Sequence, residues 1–107
     1  MITLKNIDWN NFSQLIKLNV RLDQQAFVAP VVYSLAQSYV AITNNDKPPL
    51  SFAIYNNEDL IGHTLIMYYH ANNIYGNDES YVISRFLIDK EYQGRGYGRK
   101  AFEHIIT

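Results

Sequence analysis

The run Gln93-Gly94-Arg95-Gly96-Tyr97-Gly98-Arg99 is where residue types and spacing in this chain could do chemistry. Its glycines, at alternate positions, let the backbone turn sharply and bring several N–H donors toward one anion. The apolar stretch Ile83-Ser84-Arg85-Phe86-Leu87-Ile88 precedes it, and a helical pattern from Arg99 to Thr107 follows. A helix start aimed at such a turn adds its positive dipole end, so the sequence predicts a cradle for a dense anion such as a pyrophosphate. Arg95 and Arg99 add two cations able to make charge-assisted contacts with phosphate oxygens.

A bland alternative is a flexible glycine turn joining a strand to a helix. Two other nucleotide sites fit less well. Gly96, Gly98 and Ala101 satisfy a Rossmann string, but that motif needs a tight strand-to-loop junction, and here Asp89-Lys90-Glu91-Tyr92 intervenes. A P-loop needs Gly-Lys-Ser or Gly-Lys-Thr, and the sequence has neither.

Composition narrows the remaining classes. Nine basic residues stand against ten acidic ones, a formal charge of −1 with no long run of either sign, so no nucleic-acid footprint is expected. The lack of cysteine excludes disulfides, thiolate metal sites and a Cys nucleophile. His63, His70 and His104 lack the spacing of metal ligands, and no Ser/His/Asp arrangement suggests itself, so no metal is expected. No stretch approaches the ~20 apolar residues that cross a bilayer, and Met1-Ile2-Thr3-Leu4-Lys5 does not read as a leader, so a cytoplasmic location without membrane contact is the expectation.

The elements that must hold the loop follow from periodicity. With 107 residues, 48% of them hydrophobic, the chain reads as one domain over residues 1–107. Ile2, Leu4 and Ile7 alternate as a short strand does. Asp8 suits an N-cap, and Phe12, Leu15, Ile16 and Asn19 keep helical spacing, which predicts a first helix over residues 9–20. After the boundary at Pro30, Val32, Leu35, Ala36, Tyr39 and Val40 predict a second helix over 31–42, stopped by the turn-rich run from Thr43 to Pro49. Ser51 to Tyr55 reads as a strand, Asn56 to Asp59 as a hairpin turn and Leu60 to Tyr69 as the returning strand. Ala71 to Asp78 is a connection and Tyr81 to Ile88 a fourth strand, so the fold class is α/β (α+β) without repeats.

The spacing Q-x-x-G-x-G between a strand and a helix resembles the acetyl-CoA signature of the GNAT N-acetyltransferase superfamily. Arg21 to Pro30, Tyr33 to Tyr39, Phe52 to Tyr55 and Arg85 to Tyr92 look like the bacterial diamine and spermine/spermidine N-acetyltransferases, so the resemblance spans essentially the whole chain. It implies the GNAT fold, a mixed and mostly antiparallel sheet flanked by helices. It also implies acetyl-CoA as co-substrate and transfer of the acetyl group to a primary amine, a polyamine such as spermidine or spermine. Acetylation of a peptide or aminoglycoside amine is an alternative, as is a non-catalytic CoA-binding or interaction fragment. Members usually continue with a further strand, a helix and final strands, so the resemblance implies a domain incomplete at its C-terminal end, whose exposed surface a second copy could cover as a homodimer.

Carried over residue by residue, the resemblance assigns the pantetheine arm to the backbone of Phe86, Leu87 and Ile88, and the pyrophosphate to Gln93, Gly94, Arg95, Gly96, Tyr97, Gly98 and Arg99. An open strand edge offers unpaired amides to a peptide-like ligand, although an ordinary buried strand would explain the apolar run equally well. The acceptor side falls to Gln24, Phe27 and Tyr33, with core packing the alternative for Phe27. Transfer to an amine needs a neutral nitrogen, an acceptor for its proton and a stabilised oxyanion. Glu79 is the candidate catalytic carboxylate, with a solvated surface acid as the alternative. Many members carry a Glu within the fourth strand, where this chain has Tyr81, Val82 and Ser84.

Overall fold

The four strands β1 (Ile2–Asn6), β2 (Leu50–Asn56), β3 (Asp59–Tyr69) and β4 (Ser80–Ile88) form one sheet in the order β1-β2-β3-β4. The computed structural model describes residues 1–27, 30–69 and 80–106. All three strand pairings are antiparallel. The β2–β3 connection turns at Asn57, whose φ of 56° is one that Asn tolerates better than most side chains. Among the described residues no helix is long and apolar enough to cross a membrane.

Consecutive apolar residues point to opposite faces of a pleated strand, and both faces here are covered. Ala53, Leu60 and Leu87 join Leu15, Val20 and Val31 in one core. Their neighbours Ile54, Ile61 and Ile88 join Ile2 and Ala101 in the other. The first core lies under α1 (Phe12–Leu15) and α2 (Val31–Thr43), and the second under α3 (Tyr97–Ile106).

Two bulges shape the strands. Register jumps from Ile54↔Gly62 to Tyr55↔Leu60, leaving Ile61 as the extra residue. It jumps again from Leu65↔Arg85 to Ile66↔Ile83, leaving Ser84 unpaired. Between the bulges β3 and β4 approach closely: a Cβ on Gly62 would press into the carbonyl oxygen of Leu87 and lie 3.0 Å from Ile88 Cδ1.

The first helix departs from expectation. It is a single turn, Phe12–Leu15, rather than residues 9–20. Its N-cap is Asn11 rather than Asp8; Asp8 instead closes the turn before the helix, its Oδ1 accepting from the N–H groups of Asn10 at 2.9 Å and Asn11 at 3.2 Å. The tighter bonds Lys17 N–H to Gln14 O and Leu18 N–H to Leu15 O then end it. Asn19 leaves helical geometry to bond the far end of β4, a tertiary contact outweighing the apolar period. A 3-10 turn, Leu22–Phe27, follows where only a connection was expected. The connection read at Ala71 to Asp78 lies outside the described residues.

Candidate functional site

The loop after β4 is built by side chains that close it against the strand. Asp89 N–H bonds Ile61 O at 2.7 Å, and Asp89 caps a second 3-10 turn, Lys90–Tyr92, its carboxylate accepting from Glu91 N–H. Gln93 is extended, and its Nε2 donates to Ile88 O at 2.9 Å, which folds the loop back onto the strand end. Gly94 and Gly96 have φ of 80° and 81°, in the left-handed region that L side chains avoid. A Cβ at either would meet nothing within 4 Å, so these glycines are required by the backbone, and the space over them is open.

The first α3 bond beyond the loop runs from Lys100 N–H to Gly96 O at 3.2 Å. The N–H groups of Tyr97, Gly98 and Arg99 therefore open the helix without intrahelical acceptors and face its positive dipole end. A Cβ on Gly98 would lie 3.7 Å from Ile88 Cγ1, and Tyr97 packs on the α3 core, so the helix start is seated beside the strand end. The Arg95 guanidinium stands 5.7 Å from the centre of the Tyr92 ring. Arg99 Nε is 4.0 Å from Glu103 Oε1, an exposed pair too weak to keep the guanidinium from an anion. Leu87 and Ile88 bury their side chains in the two cores, while β4 ends the sheet with no strand on its outer edge among the described residues. The residues assigned to the cofactor are thus brought together, and this open cradle fits a pyrophosphate with a peptide-like arm.

The segment after α1 is clamped to the same junction. Asn19 N–H donates to Asp89 Oδ1 at 2.8 Å, and Lys90 N–H donates to Asn19 O at 2.7 Å. A cavity of about 260 Å³ on one side of the clamp is lined by Val20, Gln25, Pro30 and Leu87. Another, of about 350 Å³, is lined by Lys17, Leu60, Lys90 and Tyr92.

On the acceptor side the structure is more selective. Gln24 lies in the first 3-10 turn with its Oε1 buried and without a hydrogen-bond partner. Tyr33 is 58% exposed on α2, and its ring centre is 5.9 Å from Arg85 Cζ. With Ala36, Gln37 and Val40 it lines a shallow pocket of about 280 Å³. Gln37 Oε1 is buried without a partner. The side chain of Phe27 and the whole of Glu79 lie outside the described residues.

Sequence reasoning gives no role to Arg85, although a charge inside an apolar strand is a visible signal. Its Nη1 donates to Ser84 O at 3.0 Å, its Nε is buried without a partner, and it pairs with no carboxylate among the described residues. A buried donor left unpaired costs about 1–3 kcal/mol, and more when charged.

His63 faces the first core, directly across from Leu87 in the sheet. Its Nε2 is 3.0 Å from Ser51 Oγ and its Nδ1 has no partner. Burial lowers its pKa from 6.5 to about 4, so it is neutral near pH 7 and serves the packing rather than a charge. Among the described residues no group of His, Asp and Glu could hold a metal ion.

A family model described as the acetyltransferase (GNAT) family matches residues 8–107 of the chain. No curated protein matches it.

Proposed function

The chain belongs to the acetyltransferase (GNAT) family, and from that premise we propose that it moves an acetyl group from acetyl-CoA to a primary amine. Its four-stranded antiparallel sheet with helices is consistent with the fold of that family. The observation that carries the proposal is the loop from Gln93 to Gly98, with two left-handed glycines, a helix start behind them and the Gln93 side chain tied to the strand end.

Bound acetyl-CoA supplies an activated thioester. The backbone N–H groups of Tyr97, Gly98 and Arg99 hold its pyrophosphate, with Arg95 and Arg99 adding charge. The outer edge of Phe86, Leu87 and Ile88 aligns the pantetheine arm as an added strand, each residue advancing about 3.3 Å. With the arm held along those residues, its thioester end would lie toward Arg85, which precedes them on β4. Gln24, Phe27 and Tyr33 border the acceptor, and Glu79 takes the proton from the amine. Attack is direct, in a ternary complex, as suits a chain without cysteine. His63 is excluded as base, because a proton on it would be stranded in the core.

The sequence resemblance to polyamine acetyltransferases makes spermidine and spermine the first acceptors to assay, and the cytoplasm is the proposed compartment. The test follows release of CoA thiol from acetyl-CoA over spermidine, spermine, a lysine peptide and free amino acids. Release with at least one amine supports the proposal. Binding of acetyl-CoA without release from any amine would assign the chain to cofactor binding alone.

A further inference from the structure

We infer that the acceptor amine carries a carboxylate beside its nitrogen, as an α-amino acid does, and that Arg85 holds that carboxylate. The inference rests on the acetyltransferase reading above and names its substrate class. Arg85 is a half-buried cation in the apolar run of β4, on the face that also carries Leu87. Such a group is normally paired, yet no carboxylate among the described residues reaches it. One terminal nitrogen is taken by the carbonyl of Ser84, the bulge residue, and Nε is buried with no acceptor. The guanidinium therefore keeps an unused donor edge of the kind that receives a carboxylate side-on.

Its place on the strand matters equally. Arg85 immediately precedes the Phe86–Ile88 edge assigned to pantetheine, at the end away from the phosphate loop. A carboxylate on Arg85 would set the adjacent amine at the thioester. Tyr33, against the guanidinium, is also a wall of the shallow pocket with Ala36, Gln37 and Val40, so a modest apolar side chain has a surface to rest on. Gln37 Oε1, buried and unpartnered in that wall, is an acceptor for an N–H of the incoming amine. A donor edge, an acceptor and an apolar recess together complement an amino acid. A bare polyamine brings only positive charge toward Arg85 and leaves its Nε unpaired.

The test compares kcat/KM for matched pairs that differ only in the carboxylate, L-leucine with isopentylamine and L-phenylalanine with phenethylamine, with spermidine as the polyamine arm. The expected result is a preference of about tenfold or more for the carboxylated member, carried mainly by KM. Arg85→Gln should collapse the ratio within each pair, and Arg85→Lys should keep part of it, because a lysine offers a point charge without the planar fork. Melting curves establish that both variants fold, and the ratio in the unaltered chain stands independently of either. Equal or higher kcat/KM for the decarboxylated amines or spermidine would overturn the inference while leaving the acetyltransferase intact, as would a ratio unchanged in Arg85→Gln. Absence of turnover with every amine would remove both.

Discussion

Asn19 and Asp89, 70 positions apart, are joined through Asn19 N–H to Asp89 Oδ1 at 2.8 Å, and the next residue, Lys90, returns a bond to Asn19 O at 2.7 Å. Asp89 also caps the 3-10 turn that leads into the glycine loop, so one carboxylate fixes both the segment after α1 and the start of that loop. Asp89→Ala should cost about 1–2 kcal/mol, the sum of a lost cap and a lost clamp, and lower Tm by several degrees. Acetyl-CoA affinity should fall with it. A melting curve and a titration that both match the unaltered chain would show that the clamp holds nothing.

The three loop glycines should separate by backbone geometry. Gly94→Ala and Gly96→Ala each force an L residue to φ near 80° and should each cost about 1–2 kcal/mol, although neither new methyl meets a neighbour. Gly98 lies within α3 with ordinary clearance to Ile88, so Gly98→Ala should leave Tm unchanged or raise it. Thermal melts of the three variants check the order, and an equal loss in all three would contradict it.

Gly62 has the opposite problem, a permissive backbone and no room. Gly62→Ala would drive Cβ into the carbonyl oxygen of Leu87, a backbone atom that cannot move aside without parting β3 from β4. The expected cost exceeds about 2 kcal/mol, and the proposed acetyl-CoA site should loosen, because Leu87 and Ile88 are the strand residues proposed to hold the pantetheine arm. A urea midpoint equal to that of the unaltered chain would contradict this reading of the β3–β4 approach.

His63 makes stability depend on acid. Its pKa is about 4 when folded and 6.5 when free, so between those values the unfolded chain binds more protons than the folded one. Stability attributable to it is full above pH 6.5 and is lost as pH falls toward about 4, by roughly 3 kcal/mol in all. Urea unfolding at pH 7, 5.5 and 4.5 should show this slope, and His63→Gln should flatten it. An identical slope in the variant would assign the acid sensitivity elsewhere.

The strands and α2 were readable in the sequence because pairs such as Ala53-Ile54, Leu60-Ile61 and Leu87-Ile88 mark a sheet packed on both faces. The glycine loop was readable because its spacing is a backbone requirement expressed in residue type. What escaped depends on partners distant in sequence. The first helix lost its length to Asp89, the bulges at Ile61 and Ser84 exist only relative to neighbouring strands, and the unpaired state of Arg85 is a property of what surrounds it. The motif assigns Gln93 to the cofactor, and the structure shows its side chain engaged with Ile88 O, a contact that spacing alone does not reveal.

The central claim is that the loop from Gln93 to Arg99 binds acetyl-CoA. Isothermal titration of the chain with acetyl-CoA tests it directly, alongside Gly96→Asp, which places a strained backbone and a negative charge in the cradle. The account predicts binding in the micromolar range, with affinity lost in the variant. No heat at millimolar acetyl-CoA, or equal binding by the variant, would contradict it.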